Sequence, residues 1–283
     1  MPSNALTVAD EPKRILLLGD TGSGKTTQFL TLEGKKYMHI FDPNALSSLK
    51  GYDLDYDLYL PSRVSAAAAS LKSGKADSRS TVSSTVYQNF ETEFDQRLQS
   101  GFFDQYDWLG FDSITTLLEL IMDRILTING RFGQWPHEDD WGPQMIAFTN
   151  ICRTVTGMGK KLFITGHMQD KQNRKLNTVR RVPMMTGSLI QRIPLLFSDI
   201  LGCDTDKDEK GSVVYQLVTV RDAEFTVIRT SMRGLNPVEP ATIKWYETDD
   251  KGKPVKPLSP IGQGLGGILN WAERNPLGQE EVK

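Results

Sequence analysis

The sequence predicts an α/β protein with a mainly parallel sheet flanked by helices and a C-terminal antiparallel hairpin extension. Four short apolar runs alternate with longer amphipathic stretches, which is typical of buried parallel strands joined by helices. These runs lie at 14–18, 36–41, 108–111 and 161–165. Two later β-rich runs, at 213–220 and 225–229, predict the antiparallel hairpin.

The connecting segments support this assignment in chain order. Phe90, Phe94 and Leu98 recur every four residues, so one apolar face is expected along a helix. The predicted helices are 26–32, 87–98, 114–128, 145–155 and 267–274. Loops are expected at 129–143 and in the polar, basic stretch 169–192, with an Asp-rich turn at 204–210. Residues 62–85, rich in Ser and Ala, predict a loop or a weak helix.

Composition excludes several classes of protein. The chain has 283 residues, 24% of them charged, and a net charge of -2, so a globally basic nucleic-acid binder is excluded, although a local basic stripe is not. Its two cysteines, Cys152 and Cys203, cannot form a disulfide framework or a Cys-based zinc site, and they suit a reducing compartment. No apolar run reaches membrane-spanning length and no secretory signal is visible, so we expect a cytoplasmic protein without membrane association.

The simplest organisation is one compact domain with a flexible N-terminus at 1–12. The main domain is expected at 13–235. A Pro- and Gly-rich C-terminal extension at 236–283 is expected to carry one short helix.

A phosphate-binding loop follows the first strand. Its residues match GxxxxGK[ST] in full: Gly19, Asp20, Thr21, Gly22, Ser23, Gly24, Lys25 and Thr26. Glycines let backbone N–H groups converge on phosphate oxygens, and the next helix directs its positive end at the same anion. Lys25 is expected to neutralise the β- and γ-phosphates, Thr26 to ligate Mg²⁺ and Thr27 to reach the α-phosphate. The pattern predicts binding of ATP with Mg²⁺.

Three polar residues at strand ends are candidates for the same site, because ligands of open parallel sheets bind beyond the carboxyl ends of strands. Asp112 ends the third strand and is the candidate Mg²⁺ carboxylate, although it could instead cap the next helix, a role that Ser113 also fits. Asp42 could orient water or serve only as a turn residue before Pro43. His167 could sense the γ-phosphate or be a loop histidine without a task.

The segments GDTGSGKTT, YDWLGFDSITTLLEL and LFITGH together resemble the RecA-like ATPase core. They are most similar to the phage nucleotide-binding group that includes Sak-type single-strand annealing proteins, over roughly residues 13–235. The resemblance implies ATP hydrolysis at Lys25, Thr26 and Asp112, with His167 in the γ-phosphate sensing position. It also implies action on single-stranded DNA in recombination, repair or replication, a homo-oligomeric ring or filament, a single-strand-binding protein as a further partner, and the host cytoplasm if phage-encoded.

One departure from that family concerns the residue that activates water. RecA-like proteins carry a glutamate two residues after the second-strand aspartate, and here that position is Asn44, which can orient a water but cannot accept a proton. Asp42 could substitute, or a carboxylate of the segment 138–140, or hydrolysis could be slow. Two alternatives therefore stay open: a nucleotide-gated binding protein with little hydrolysis, and a small-molecule P-loop kinase.

A local excess of positive charge follows the fourth strand. Between 171 and 192 there are six basic residues and no acidic one: Lys171, Arg174, Lys175, Arg180, Arg181 and Arg192. The first five are candidate DNA-binding residues, because RecA-like proteins place a DNA-binding loop here and cations release counterions on binding phosphates. A solvated hairpin and a lid over phosphates are the alternatives.

Aromatic and arginine side chains elsewhere complete the set of candidates. Bases would have to stack on aromatic residues outside the basic stretch, such as Phe132, Trp135 or Trp141. Arg229 and Arg233, in or after the late hairpin, are candidate arginine fingers acting across a subunit interface, or ordinary exposed arginines.

Overall fold

The computed structural model describes residues 11–60, 85–173, 178–185, 187–222 and 225–276. Nine strands form one sheet in the order β3-β2-β4-β5-β1-β7-β8-β9, with β6 paired to β5. The strands from β3 to β7 in this order run parallel, and β6, β8 and β9 are antiparallel to their neighbours. A separate antiparallel pair, β10 and β11, follows. The predicted fold class is confirmed.

The strands are β1 (Arg14–Gly19), β2 (Lys36–Ile40), β3 (Asp55–Leu58), β4 (Trp108–Asp112), β5 (Lys161–Asn173), β6 (Thr178–Pro183), β7 (Asp199–Lys207), β8 (Val213–Val218), β9 (Val238–Pro240), β10 (Tyr246–Thr248) and β11 (Pro254–Pro257). The α-helices are α1 (Lys25–Gln28), α2 (Ala45–Leu49), α3 (Val86–Gln99), α4 (Ile114–Ile128), α5 (Trp141–Gly157), α6 (Gly187–Arg192) and α7 (Gly264–Arg274). The helix after β1 is a single α turn that continues as the 3₁₀ turn Phe29–Thr31, shorter in α form than predicted.

The sheet separates two apolar cores because alternate side chains of each strand point to opposite faces. On β1, Leu16 and Leu18 join the core under α3, α4 and α5, whereas Ile15 and Leu17 join the core under α1, α2 and α7. Both faces of the central strands are therefore covered, which explains why these strands appear in the sequence as continuous apolar runs.

The stretch that follows the fourth strand differs from the prediction. β5 extends to Asn173 and pairs with β6 from Met168 onward, so a protruding β-hairpin replaces most of the expected loop at 169–192. Helix α6 occupies the end of the same stretch. The alternation of apolar and polar residues is weak here because the hairpin is exposed on both faces, as the successive residues Asp170 and Lys171 are both exposed.

The expected pairing of 213–220 with 225–229 is wrong. β8 pairs with β7 and β9, and the predicted Asp-rich turn at 204–210 mostly continues β7 to Lys207. The segment 225–229 makes only isolated bridges, including one between Arg229 and Ile200. Its apolar residues Phe225 and Ile228 are buried against the sheet, which accounts for the β-like pattern.

Buried aromatic rings surround His39 at the centre of β2. The His39 ring centroid lies 4.9 Å from that of Phe111 and 5.4 Å from that of Phe90, and the side chain has no exposed surface. Neither ring nitrogen has a hydrogen-bond partner among the described residues. Burial lowers the pKa of His39 to about 3, so the ring is neutral at physiological pH.

The C-terminal helix packs against the helical turn that follows the phosphate loop. The Gln28 side chain donates to the carbonyl of Ala241 (2.8 Å) and accepts from the backbone N–H of Leu265 (2.8 Å). The Thr31 hydroxyl accepts from the backbone N–H of Gly266 (2.9 Å).

Among the described residues, no helix combines the length and the apolar character that crossing a membrane requires.

The boundaries drawn from the sequence at 12/13 and 235/236 stay predictions. Most of the expected flexible N-terminus and nearly all of 62–85 lie outside the described residues, as do Arg174 and Lys175.

Candidate nucleotide-binding site

The phosphate loop turns sharply between β1 and α1. The Ser23 hydroxyl donates to the carbonyl of Asp20 (2.8 Å), and Gly24 adopts a φ of 82°, a left-handed conformation that side chains other than glycine rarely accept. Gly19 is needed for a different reason, because a β carbon there would lie 2.5 Å from the carbonyl oxygen of Cys203. The loop therefore presents backbone around an open space at the carboxyl end of β1.

Lys25 lies buried beneath the loop. Its ammonium group donates to the carbonyls of Gly19 (3.0 Å) and Asp20 (2.7 Å). Burial lowers the pKa of Lys25, and the nearby carboxylates, among them Asp112, oppose that shift. The ammonium group is thus held at the base of the loop, where the sequence predicts a phosphate-neutralising charge.

Asp112 and Thr26 meet at the floor of the site. The Thr26 hydroxyl donates to Asp112 Oδ2 at 2.7 Å, and the Thr165 hydroxyl donates to Asp112 Oδ1. Asp112 is only 3% exposed, and burial raises the pKa of its carboxyl group even though the two hydroxyl donors lower it. The side chain of Ser113, not Asp112, accepts the capping hydrogen bond of α4 from Thr116 N–H (3.5 Å). The Asp112 carboxylate is therefore available to a metal, beside the hydroxyl that the P-loop pattern assigns to Mg²⁺.

Asp42 and His167 form the side wall of the site. His167 Nε2 lies 3.2 Å from Asp42 Oδ2, and the Thr116 hydroxyl donates to Asp42 Oδ1. Burial alone would raise the pKa of Asp42, but hydrogen bonds from His167, Thr116 and Ser113 outweigh it and lower that pKa. Asp42 is consequently ionised at neutral pH and held in one orientation by donors on two other elements.

A cavity of about 320 Å³ joins these groups. Its lining includes the following residues: Thr21, Gly22, Gly24, Lys25, Thr26, Thr27, Asp42, Asn44, Ser48, Asp112 and His167. Asp42 and Asp112 are its two carboxylates among the described residues. Asn44 lies exposed at its rim, where its side chain does not cap α2.

The alternative carboxylates at 138–140 lie elsewhere. None of the three lines the cavity. Asp140 instead receives two hydrogen bonds from Arg131 (2.6 and 2.8 Å) and one from the backbone of His137 (2.7 Å). Arg131 holds the pKa of Asp140 below its usual value, and the pair fixes the loop that precedes α5.

The basic candidates have unequal surroundings. Lys171 and Arg180 face each other across the β5–β6 hairpin and are exposed. Arg181 is only 12% exposed and forms an ion pair with Asp20 of the phosphate loop, with Asp204 at 3.8 Å. Its guanidinium also stacks over the ring of Phe225 at 5.1 Å.

The finger candidates lie away from the cavity. Arg229 donates to the carbonyl of Phe197 (2.7 Å) near the beginning of β7, the end opposite the phosphate loop, and Arg233 is exposed. Neither lines the cavity. A role across an interface stays a prediction.

Sequence reasoning missed Thr165 and Thr116 as parts of this site, and it missed the contact between Arg181 and Asp20. Threonine is common within strands and helices, so nothing marks the hydroxyls that hold Asp112 and Asp42. The sequence predicts Arg181 as a candidate for DNA contact, with a lid over phosphates and a solvated hairpin as alternatives. Its contact with Asp20 depends on the register between β5 and β6, which the sequence does not reveal.

The loop, the buried lysine and the Thr26–Asp112 contact define a P-loop nucleotide-binding fold. The profile of the family AAA_24, described as an AAA domain, matches residues 11–225. The chain therefore belongs to this family, and its core is a P-loop ATPase core of the AAA type.

No curated protein matches the chain. Among solved structures, the chain is similar to the flagellar accessory protein FlaH from Methanocaldococcus jannaschii, with 13% identity and a TM-score of 0.37 over 82% of this chain and 87% of that one. The expected grouping with phage Sak-type annealing proteins stays a prediction.

Proposed function

We propose that the chain is a Mg²⁺-dependent ATPase that acts on single-stranded DNA. The contact between Thr26 Oγ1 and Asp112 Oδ2, at 2.7 Å on the floor of the loop cavity, carries the proposal. A hydroxyl and a carboxylate beside a phosphate loop are the donor set that Mg²⁺ takes together with nucleotide phosphates. Bound Mg²⁺–ATP supplies the transferable phosphoryl group and the cation that neutralises its charge.

The residues of the chain divide the work of hydrolysis. Thr26 and Asp112 would hold the metal, and Lys25 would neutralise the β- and γ-phosphates. Asp42 would orient the attacking water, since it is ionised and fixed by Thr116 and His167. Positioning of this kind matters more than proton abstraction where the transition state is loose. His167, on the same wall, would respond to the γ-phosphate.

Contact with DNA would occur on the β5–β6 hairpin. β5 continues without interruption from His167 at the cavity to the exposed Lys171, which faces Arg180. The two cations are placed to neutralise phosphates of a strand. Of the three other candidates, Arg181 is paired with Asp20, and Arg174 and Lys175 lie outside the described residues. Assembly into a ring or filament and association with a single-strand-binding protein stay parts of this proposal without a structural observation of their own.

One observation favours a second function. Asn44 stands at the cavity rim where RecA-like proteins carry a glutamate, and it cannot accept a proton. A nucleotide-gated binding protein with little hydrolysis would have this arrangement.

The test is ATP hydrolysis with and without single-stranded DNA, in wild type and in Lys25→Ala. Lys253→Ala, in the exposed turn between β10 and β11, is the matched lysine control. Hydrolysis that DNA stimulates, and that Lys25→Ala alone abolishes, is expected. Binding of ATP without turnover would favour the gated binder, and the lack of salt-sensitive DNA binding in any nucleotide state would remove the DNA role.

A further inference from the structure

The cavity that would hold Mg²⁺–ATP is short of positive charge. Among the described residues that line it, Lys25 and His167 are the basic ones, and His167 Nε2 lies 3.2 Å from Asp42 Oδ2. The same lining carries the carboxyl groups of Asp42 and Asp112. Mg²⁺–ATP keeps about two negative charges at neutral pH, and Lys25 offsets one of them. A further cation is therefore expected where charge accumulates on the γ-phosphate during transfer.

Arg181 is a cation that already contacts the phosphate loop. Its guanidinium pairs with the side chain of Asp20, the second residue of the loop. The carbonyl of the same residue accepts a hydrogen bond from the Lys25 ammonium group at 2.7 Å. Asp20 thus binds two cations, one through its carboxylate and one through its backbone, and the lining of the cavity begins at the next residue, Thr21.

The fold limits where this guanidinium can lie. Arg181 is largely buried, and its guanidinium stacks over the Phe225 ring at 5.1 Å, with Asp204 at 3.8 Å. A β-bridge between Arg181 and Phe225 fixes β6 beside that ring. Directly after β6, the backbone N–H of Met184 donates to the carbonyl of His167 at 2.8 Å. Arg181 therefore lies on a strand whose end is anchored to the wall where the γ-phosphate is expected.

The carboxylate that pairs with Arg181 is a weaker partner than a phosphate. The Asp20 side chain is 61% exposed, so water competes for its carboxylate and the ion pair is weak. A phosphate group carries more charge and presents several acceptor oxygens, to which the planar guanidinium can donate two parallel hydrogen bonds. A γ-phosphate bound in the loop would therefore compete successfully with Asp20 for Arg181.

We propose that Arg181 transfers from Asp20 to the γ-phosphate when ATP binds, and acts there as an arginine finger within its own chain. Asp20 then holds the guanidinium beside the loop until the nucleotide arrives. This role depends on the proposed binding of Mg²⁺–ATP. It gives Arg181 the part for which Arg229 and Arg233 are the candidates in the sequence, and neither of those two lines the cavity.

The first test compares ADP with AMPPNP, a non-hydrolysable analogue that retains a γ-phosphate. Affinities are measured by calorimetry with Mg²⁺, so the result does not depend on hydrolysis. We expect Arg181→Ala to weaken AMPPNP by about fivefold or more and to leave ADP nearly unchanged. Arg181→Lys should restore only part of the loss, because an ammonium group cannot form the paired hydrogen bonds. An equal loss for both nucleotides in Arg181→Ala would overturn the proposal.

Asp20→Asn is a second variant, and its expected effect is a gain. The substitution releases Arg181, so AMPPNP should bind a few fold more tightly than in the wild type. In the Arg181→Ala background the same substitution should give no gain. A gain that persists there would mean that Asp20 merely repels phosphate, and would contradict the transfer. Asp95→Asn and Arg153→Ala, at exposed positions of α3 and α5, are the matched controls and should change neither affinity.

The same measurements separate a failed transfer of Arg181 from a failed ATPase function. If the wild type binds neither nucleotide, the ATPase function fails and the transfer fails with it. If AMPPNP binding depends on Arg181 but ATP is not hydrolysed, the transfer stands and the protein is the gated binder. If ATP is hydrolysed while Arg181→Ala affects ADP and AMPPNP alike, the transfer alone fails.

A mixing experiment tests whether Arg181 acts within its own chain. Arg181→Ala should lower kcat by about tenfold or more, and Lys25→Ala should abolish hydrolysis. A mixture of the two variants should be no more active than the variants measured separately, because no chain then carries both residues. Recovery of the rate in the mixture would assign Arg181 to the site of a neighbouring copy and would overturn its role within one chain.

Discussion

Arg181 and Asp20 form an ion pair that joins the β5–β6 hairpin to the phosphate loop. The two residues are 161 positions apart in the chain, and the Phe225 ring supports the guanidinium from below. The neighbouring residue Arg180 is exposed and makes no such contact with the loop. Adjacent arginines on β6 thus have different surroundings, since Arg181 is paired with the phosphate loop and Arg180 is exposed.

Arg181→Ala is expected to change the affinity for ATP by a few fold, because it releases the hairpin from the loop that binds phosphate. Arg180→Ala is the matched control and should leave ATP affinity unchanged while weakening DNA binding. Nucleotide titrations of both variants, and of Asp20→Asn, measure this. Non-additive effects of Arg181→Ala and Asp20→Asn would establish the coupling, and full additivity would exclude it.

Asp112→Asn should lower hydrolysis by at least about tenfold, or about 1.4 kcal/mol, without lowering thermal stability. The carboxylate is buried and its pKa is raised, so removing its charge relieves desolvation while the amide keeps the shape. Asp199→Asn is the control, because that buried carboxylate accepts from Thr230, Ser231 and Ser198 far from the loop. The Asp199→Asn variant should have a lower melting temperature, and its hydrolysis of ATP should depend on Mg²⁺ as in the wild type. The reverse pattern would contradict the metal role of Asp112.

His167→Ala should reduce kcat by about tenfold or more while ATP binding changes little. Loss of its hydrogen bond also lets the pKa of Asp42 rise toward its ordinary value, so activity should fall at a higher pH on the acid side. Steady-state rates measured against pH test both statements. His137→Ala, outside the cavity, should leave the profile unchanged, and an unshifted profile in His167→Ala would argue against the Asp42 assignment.

His39 makes stability depend on pH. Its pKa is about 3 in the folded protein and about 6.5 when unfolded, so the unfolded state binds the additional proton between those values. Stability is therefore full above the unfolded pKa and falls as pH decreases toward 3, by up to about 1.4 kcal/mol per pH unit. Denaturant titrations should show that His39→Leu lacks this component. If the free energies of unfolding of the wild type and His39→Leu differ by a constant amount from pH 7 to pH 4, the role of His39 in the pH dependence is refuted.

Gly266→Ala should destabilise the protein by roughly 1–3 kcal/mol, since overpacking has costs of this order. A β carbon at Gly266 would lie 1.9 Å from the carbonyl oxygen of Thr31, so α7 would have to move off the turn after the phosphate loop. Gly142→Ala, in α5 with open space around it, is the matched control and should be neutral or slightly stabilising. Equal melting temperatures for the two variants would contradict the packing described.

The sequence was sufficient for the parts of the site that follow one another along the chain. The loop, Lys25 and Thr26 are contiguous, and Asp112 and His167 each end or follow an apolar strand, so parallel pairing was enough to bring them together. Asn44 lines the same cavity, and its role stays a prediction.

The parts that depended on side-chain register could not be predicted. Thr165 and Thr116 contact Asp112 and Asp42 only because the side chains reach the same depth in the fold. That depth cannot be read from the positions of threonines in the sequence. The course of the chain after His167 was missed because exposed polar residues on both faces hide the period of a strand. The opposite error occurred at Phe225 and Ile228. These residues are apolar because they are buried, and their spacing predicted a strand that does not form.

The length of β5 has a mechanical consequence. Its 13 residues form one strand from the buried sheet to the hairpin, and at about 3.3 Å per residue they span roughly 43 Å. The part beyond His167 extends roughly 20 Å from the wall of the nucleotide cavity. A tilt of about 5° at His167 would move the far end of that part by about 2 Å, comparable to a third of the spacing between successive residues on one strand face. A small rotation at the cavity wall would thus become, at the far end of β5, a displacement large enough to make or break a hydrogen bond.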